Sequence, residues 1–467
     1  MYLVLHTLHY ATSSPATTTQ NREFSPFFCQ IPEIRERYSR ISGICIDLLF
    51  VIMHYKLMGA ELIYLERTMR AKVEELSRFF PCVLVTGARQ VGKSTLLKEM
   101  MPEGMRYISL DDYLEADRAR KDPIGFLEQY GEPLCIDEVQ YAPELFRAIK
   151  MRVDANRKPG MYWLTGSQRF HLMSGVSESL AGRIGIVELF SLSRQESCGL
   201  GLGVPAFDPE RVSDMVCSGT LCNIHDLYTG IWRGGYPQMA QQTALPRDAF
   251  FDAYVQTYVE RDVQALSQVG NRSAFVRLMR SAALRTGQQL VYSDLARDAE
   301  VSPKTAAAWV SILETSGIVT LLEPYHVNST KRLAKTPKLY FMDTGLCSWL
   351  AGWQNPDMMM QSTYAGAILE TWVFGQLMRR FANAGIRPRI SYFRNLDGGE
   401  VDFLLEQNGR IYPMEVKRSS SPSSADLKWA RSIPPGQALL MPGIVFCTAE
   451  RFVPMADGAC GFPISAL

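Results

Sequence analysis

The octapeptide GARQVGKS at residues 87–94 restricts the fold of this chain more than any other feature of its sequence. It matches the pattern G-x-x-x-x-G-K-[ST] in full, and it lies between an apolar run, CVLVT, and a helical pattern. A strand that enters a glycine-rich loop and leaves it as a helix directs several backbone N–H groups and a helix N-terminus toward one point, where phosphate groups bind. We therefore expect a P-loop nucleotide site on an α/β sheet.

Individual loop residues have expected roles in this site. Lys93 is expected to neutralise the β- and γ-phosphates of the nucleotide, and the Ser94 hydroxyl is expected to hold Mg²⁺. The predicted nucleotide-binding residues are Gly87, Ala88, Arg89, Gln90, Val91, Gly92, Lys93, Ser94 and Thr95.

A pair of acidic residues follows a second apolar run, PLCIDE, at residues 133–138. Asp137 is expected at the carboxyl edge of a strand, where ligands bind in open α/β sheets, and would bind Mg²⁺ directly or through water. Glu138 is predicted to orient the attacking water as a general base. The chain contains no Asn-Lys dipeptide, so the N-K-x-D guanine signature is missing. This absence and the adjacent glutamate favour ATP over GTP.

Short apolar runs alternate with helical patterns from residue 61 to about residue 195. The predicted strands cover residues 82–86, 107–110, 134–137, 162–165 and 184–189. Such alternation indicates a parallel sheet with helices on both faces. The polar segment at residues 166–169 follows the fourth run and is either a γ-phosphate sensor or a plain strand end. Arg183 is a candidate stabiliser of transition-state charge, in cis or in trans.

Breaks in the pattern divide the chain into five predicted parts. Residues 1–57 contain a Ser/Thr/Pro tract and are expected to be a disordered or artefactual extension. The other parts are a P-loop domain at 58–198, a helical connector at 210–271, a winged-helix-like domain at 272–345 and a small α/β domain at 364–467.

Residues 292–316 have the pattern of a helix–turn–helix unit. Ser293 is the predicted N-cap of the first helix, and Pro303 the predicted first residue of the second. Lys304 lies at the start of the expected recognition helix, and basic residues available to phosphates follow in the expected wing: Lys331, Arg332 and Lys335. DNA binding and simple protein packing both remain open for this unit.

A second group of carboxylates lies near the C-terminus. Asp402 is expected on one strand, and Glu415 with Lys417 on one face of the next, because side chains alternate along a strand. With Glu370 from the preceding helix, these residues are a candidate second, nuclease-like Mg²⁺ site. Solvated charges at a strand edge are the alternative.

Composition excludes several classes of protein. Lys and Arg number 49 and Asp and Glu 48, which argues against a uniformly basic coat for nucleic acid. No run approaches the roughly 18 apolar residues of a membrane span. Ten scattered cysteines in 467 residues indicate reduced thiols and a cytoplasmic location.

The chain resembles the prokaryotic AAA-like ATP-binding proteins that carry a C-terminal domain of unknown function. The matching motifs are VLVTGARQVGKST, LCIDEVQ, WLTGSQ, SLAGR, GGYP, YVERDV, PKLYFMDTGL and the pair EVDF and MEVK. The resemblance implies ATP binding by the loop residues named above and a C-terminal part similar to PD-(D/E)xK nucleases.

These observations predict a Mg²⁺-dependent ATPase that couples hydrolysis to conformational change, with DNA as a candidate partner. The alternatives are an ATP-regulated nuclease that uses the C-terminal carboxylates, and a non-hydrolysing nucleotide-regulated module that binds a protein partner or itself.

Overall fold

The computed structural model of the protein describes residues 64–167, 179–218, 221–259, 271–326, 336–395, 397–434, 436 and 438–467. Several predicted features lie outside these ranges: the extension at residues 1–57, Gln168, and the wing residues Lys331, Arg332 and Lys335. Among the helices that the structure describes, none has both the length and the apolar character needed to cross a bilayer.

The first part of the described chain is an α/β unit. Its strands are β1 Cys82–Thr86, β2 Arg106–Ser109, β3 Leu134–Asp137, β4 Tyr162–Gly166 and β5 Ile184–Glu188. Its helices are α1 Arg70–Phe79, α2 Lys93–Met100, α3 Tyr113–Lys121, α4 Pro123–Tyr130, α5 Leu145–Ala155 and α6 Arg194–Ser197. All neighbouring strands are parallel, in the order β2-β3-β4-β1-β5. The expected α/β fold is confirmed.

Burial of the sheet on both faces explains the continuous apolar runs. All five residues of β1 are buried. Val83 and Val85 pack in one apolar cluster with Trp163, whereas Cys82 and Leu84 pack in a second. Because side chains alternate along a strand, these two clusters lie on opposite faces of the sheet.

A helical region follows the sheet. Its helices are α7 Val212–Ser218, α8 Ile224–Arg233, α9 Pro237–Gln241, α10 Arg247–Tyr258 and α11 Arg272–Ala283. The predicted GGYP turn separates α8 from α9: Gly234 ends α8 with a φ of 80°, and Pro237 occupies the first turn of α9. Proline suits that position because its missing N–H has no partner inside the helix.

Helices α12 Tyr292–Ala299 and α13 Pro303–Thr315 lie where the helix–turn–helix unit is predicted. Pro303 begins α13 as predicted, and the Ser302 Oγ accepts a hydrogen bond from the Thr305 N–H at 3.0 Å. The predicted N-cap at Ser293 is wrong. The cap of α12 is Val291, whose backbone is extended, and the helix already includes Tyr292.

A small sheet packs beside these helices. It contains β6 Gln288–Gln289, β7 Val319–Leu322 and β8 Lys338–Phe341, in the antiparallel order β6-β8-β7. Strands β7 and β8 flank the segment in which the wing is expected. The segment between them at 327–335 lies outside the described residues, so the winged-helix assignment stays a prediction.

The C-terminal part is a mixed seven-stranded sheet with a long helix against it. Its helices are α14 Thr344–Leu350, α15 Pro356–Gln361 and α16 Ala365–Asn383. Its strands are β9 Arg389–Arg394, β10 Glu400–Gln407, β11 Arg410–Val416, β12 Leu439–Leu440, β13 Ile444–Cys447, β14 Val453–Pro454 and β15 Cys460–Pro463. The strand order is β14-β15-β13-β11-β10-β9, and β12 pairs with β11.

Backbone and side-chain contacts join the middle and C-terminal regions. Pro324, just after β7, forms an isolated parallel bridge with Tyr392 of β9. The Thr286 and Thr371 hydroxyls lie 2.8 Å apart in the buried interface. The predicted domains therefore share a continuous packed boundary, and their exact limits stay a prediction.

Candidate nucleotide site

The loop between β1 and α2 has the backbone conformation that its glycines allow. Gly87 has a φ of 146° and Gly92 a φ of 94°, both in the region that side chains disfavour. A Cβ atom at Gly87 would lie 2.1 Å from the Leu189 carbonyl oxygen. Only glycine therefore permits this close approach between the loop and the chain after β5.

Lys93 lies inside the loop rather than in solvent. Only 5% of its surface is exposed. Its Nζ donates hydrogen bonds to the carbonyl oxygens of Gly87, at 3.2 Å, and Ala88, at 2.9 Å. The ammonium group is thus held at the concave side of the turn by the loop's own carbonyls.

The side chain of Ser94, in the first turn of α2, contacts the side chain of Asp137, at the end of β3. The Ser94 Oγ donates a hydrogen bond to Asp137 Oδ1 at 2.7 Å. Asp137 ends β3 and is 4% exposed. The predicted pair of magnesium ligands is therefore brought together, and both supply the hard oxygen atoms that Mg²⁺ prefers.

Two further hydroxyls hold Asp137, and sequence reasoning missed both. Tyr107 donates to Asp137 Oδ2 at 2.7 Å, and the Thr165 hydroxyl donates to Oδ1. Burial and the hydrogen bond to Asp137 raise the pKa of Tyr107 above its usual range. Tyr107 lies within β2 and Thr165 near the end of β4, and neither position gives a local signal, since the contact depends on strand order.

Glu138 leaves β3 in a strained backbone conformation. Its φ of 55° and ψ of 47° are left-handed, which is uncommon for residues other than glycine. Its N–H donates to the Thr165 hydroxyl at 3.0 Å. Its carboxylate accepts hydrogen bonds from Gln140 and, at 3.2 Å, from Ser167. Strain of this kind persists where surrounding contacts enforce it, often at functional sites.

Arg67 is a buried cation beside the loop that the sequence motifs do not include. It is 3% exposed. Its guanidinium donates to the carbonyl oxygens of Val91 and Phe190, each at 2.7 Å, and pairs with Glu196 at 3.1 Å. Arg67 therefore ties the P-loop to the segment after β5.

Arg183 does not lie near the loop. It immediately precedes β5 and forms a salt bridge with Asp154, with its Nε 2.6 Å from Asp154 Oδ1. In the parallel register, Ile184 pairs with Cys82 and Glu188 with Thr86. Arg183 is thus at the edge of the sheet opposite the P-loop, so the predicted role in cis is wrong. A role in trans remains a prediction.

A shallow cleft opens beside the loop. Ala88 and Val91 of the loop line one side, and Gly317 and Asp343 of the middle region line another. A Cβ atom at Gly317 would lie 3.7 Å from the Ala88 nitrogen. The turn after α13 therefore abuts the P-loop directly.

The C-terminal candidate residues form charge pairs. Lys417 Nζ lies 2.6 Å from Glu415 Oε2, and Asp402 Oδ2 accepts the Val416 N–H at 2.8 Å. Glu370 instead pairs with Lys338 of β8, at 2.9 Å. Sequence reasoning missed Lys338, which comes from another predicted domain.

No convergence on a metal is found there. Across the described residues, no three or more His, Cys, Asp or Glu side chains are grouped so that they could hold a metal ion. The expected metal cluster of Glu370, Asp402 and Glu415 is thus not formed. Burial raises the pKa of Glu370 and of Asp402 to about 7. The Lys338 charge opposes the rise in the pKa of Glu370, whereas the neighbouring Glu415 adds to the rise in the pKa of Asp402.

Comparison with protein families places known profiles on three parts of the chain. An AAA domain matches residues 80–198, and two domains of unknown function, DUF8612 and DUF4143, match residues 224–357 and 365–467. Uncharacterized proteins of Mycobacterium tuberculosis and Mycobacterium bovis are each 30% identical over 403 residues, which is 85% of this chain and 83% of theirs.

Solved structures show weaker similarity. A Walker-type ATPase of Pyrococcus abyssi is 15% identical, with 62% of this chain and 96% of that chain covered and a TM-score of 0.39. A STAND signal-transduction ATPase of Pyrococcus horikoshii is 12% identical, with 69% and 47% covered and a TM-score of 0.25. TM-scores this low add nothing to the assignment, which depends on the domain profiles and the mycobacterial relatives.

Proposed function

Because the chain belongs to the family of P-loop AAA-domain proteins that carry the C-terminal domain of unknown function DUF4143, we propose that it is a Mg²⁺-dependent ATPase. The match to an AAA domain supports ATP binding and ATPase activity. The observation that carries the finer proposal is the contact of Ser94 with Asp137 at 2.7 Å, directly beside the buried Lys93. These three groups supply the cation and the metal ligands that a nucleoside triphosphate needs.

The proposed phosphate-binding residues are those of the loop and the start of α2. Backbone N–H groups of residues 87–95 bind phosphate oxygens, aided by the partial positive charge of the helix N-terminus. Lys93 exchanges its bonds to the Gly87 and Ala88 carbonyls for bonds to phosphate. Ser94 and Asp137 would hold Mg²⁺, which when bound neutralises part of the phosphate charge.

Glu138 is the proposed general base. Ser167 and Gln140 hold its carboxylate, and the bond from its own N–H to Thr165 holds its backbone. A carboxylate fixed beside the metal ligands can accept a proton from water positioned for attack. Ser167 and Gln140 are proposed as positioning residues, since they act through Glu138.

Coupling to conformational change is supported by a chain of contacts that leaves the loop. Leu189 N donates to the Thr86 carbonyl at 2.7 Å, beside Gly87. Two residues later, the Ser191 hydroxyl donates to Asp343 at 2.9 Å, and Arg379 of α16 donates to the Ser191 carbonyl at 2.9 Å. Movement of the loop would therefore be felt in both the middle and C-terminal regions.

The proposal is tested by nucleotide binding and phosphate release with two variants. Lys93→Ala should abolish ATP binding in calorimetry. Glu138→Gln should bind ATP but release phosphate about 10²–10⁴-fold more slowly, the range typical for loss of a general base. The exposed residues Lys121 and Glu144 provide matched controls, as Lys121→Ala and Glu144→Gln. Undiminished turnover in both site variants would refute the ATPase proposal.

DNA is proposed as an effector, because Lys304 is exposed at the start of α13 in helix–turn–helix geometry. Phosphate release measured with and without duplex DNA tests this, and an unchanged rate would count against it. Tight ATP binding without turnover would instead support the nucleotide-regulated interaction module, with a protein partner or self-association. The pairing of Glu370 with Lys338 gives the nuclease alternative no support.

A further inference from the structure

Lys338 is a charged side chain in the interior of the protein. It lies on β8, the central strand of the small sheet, and is 2% exposed. Its Nζ is 2.9 Å from Glu370 Oε1 and 2.5 Å from Glu400 Oε1. The Lys338 Nζ also lies over the ring of Tyr392, 5.5 Å from the ring centroid. An ammonium group buried this completely is stable only when its charge is compensated.

The carboxylates around Lys338 all come from the C-terminal region. Glu370 belongs to α16, Glu400 and Asp402 to β10, and Glu415 to β11. Lys338 interacts electrostatically with Glu370 most strongly, then with Asp402 and Glu400. A lysine from the middle region therefore lies among acids presented by α16 and β10, and Glu415 of β11 joins the group through its neighbour Asp402. We call these four acids the carboxylate cluster.

Cations and acids in the cluster are unequal in number. Four carboxylates face two buried or half-buried ammonium groups, those of Lys338 and Lys417. Arg394 adds a partly exposed contact with Glu400 at 3.5 Å. Protons supply part of the remaining compensation, since the pKa values of Glu370 and Asp402 are raised to about 7.

We propose that the carboxylate cluster is a cation site whose occupant is the chain's own Lys338 ammonium. The cluster thereby fastens the middle region to the C-terminal region and does not hold a divalent metal ion. Two oxygens, one from Glu370 and one from Glu400, lie within 2.9 Å of a single point, the Lys338 Nζ. A divalent ion bound by carboxylates needs oxygens at roughly 2.0–2.6 Å, so such an ion could take the place of the ammonium only if the Glu370 carboxylate moved inward by a few tenths of an ångström.

The carboxylate cluster is separate from the nucleotide site. The P-loop contributes no residue to the carboxylate cluster, and the middle and C-terminal regions also meet elsewhere. Tyr325 N donates to the Tyr392 carbonyl at 2.6 Å, and Tyr340 stacks on Phe374 with ring centroids 4.5 Å apart. Lys338 thus forms an ionic part of an interface whose other contacts are ring stacking, backbone hydrogen bonds and polar pairs such as the Thr286 and Thr371 hydroxyls.

The test uses the full chain without nucleotide and Mn²⁺ as the probe. Lys338→Met should lower the melting temperature by about 5 °C or more, because it leaves buried carboxylates without their cation. Saturating Mn²⁺ should restore most of that loss by occupying the vacated position. The double variant Lys338→Met with Glu370→Gln should not be restored. Lys428→Met, at an exposed lysine of the same region, should behave as the wild type.

A second measurement does not require the Lys338 variant to fold. Mn²⁺ titrations of the wild type and of Glu370→Gln, followed by electron paramagnetic resonance, should give the same number of bound ions. A site lost in Glu370→Gln would overturn the proposal, since the wild-type cluster would then hold the metal. Failure of Mn²⁺ to stabilise a folded Lys338→Met variant would overturn it as well.

Discussion

The Arg67 guanidinium donates a 2.7 Å hydrogen bond to the Val91 carbonyl, which joins a residue upstream of the sheet to the middle of the P-loop. The same guanidinium holds Phe190 and Glu196. The loop conformation is therefore supported from outside its own motif, by a residue that need not touch the nucleotide.

Replacing this support should weaken nucleotide binding. Arg67→Gln is expected to raise the Kd for ATP about tenfold or more, because each hydrogen bond to a charged group contributes about 1.5–3 kcal/mol. Calorimetric titration of ATP checks the prediction. Arg70→Gln, at a partly exposed surface pair, is the control and should leave the Kd unchanged. An unaltered Kd in Arg67→Gln would mean that the loop holds its shape unaided.

The Ser94–Asp137 contact predicts that substitution of Ser94 weakens ATP binding only when magnesium is present. Ser94→Ala should raise the Kd for ATP about tenfold with Mg²⁺ present and leave it nearly unchanged in EDTA, because one metal ligand is removed while the phosphate contacts remain. Titrations under both conditions measure the difference. Ser213→Ala, at an exposed helical position, provides the control. Equal weakening with and without Mg²⁺ would contradict the assigned role.

Alanine substitutions at Gly87 and Gly104 distinguish the effect of a steric conflict from the effect of backbone strain. Both have positive φ, but a Cβ at Gly87 would meet the Leu189 carbonyl oxygen at 2.1 Å, whereas at Gly104 it would meet nothing within 4 Å. Gly104→Ala should cost about 1–2 kcal/mol in the free energy of unfolding and preserve ATP binding. Gly87→Ala should cost more and abolish ATP binding, as urea unfolding and calorimetry would measure. Similar behaviour of the two variants would contradict the steric argument.

Stability should fall as pH rises from about 5 to about 7, and it should change little above that range. The pKa values of Glu370 and Asp402 are near 7 in the folded protein, above the roughly 4 expected when the chain is unfolded. The folded state therefore binds more protons than the unfolded chain between about pH 4 and pH 7. The stability contributed by the protonated Glu370 and Asp402 is lost as pH rises through about 7. Urea unfolding at a series of pH values measures this slope. Glu370→Gln should make it shallower, and an unchanged slope would argue against these groups.

Sequence reasoning predicted most of the α/β unit and its site from local patterns. The positions of Lys93, Ser94 and Asp137 follow from a strand, a loop and a helix that are contiguous, and from the rule that ligands bind at the carboxyl edge of parallel strands. Ser293 is not the N-cap because the helix begins one residue before it, at Tyr292, and the extended residue Val291 is the cap. Helix ends depend on such single-residue differences, which patterns resolve poorly.

The P-loop is predictable from local sequence, because its glycines and its lysine act through the conformation of eight consecutive residues. Which distant charges meet depends on how the elements pack. That packing placed Arg183 at the far edge of the sheet, Arg67 against the loop and Lys338 among the C-terminal carboxylates. Those contacts join residues dozens of positions apart, and they arise from the packing of whole elements, which local sequence patterns do not encode.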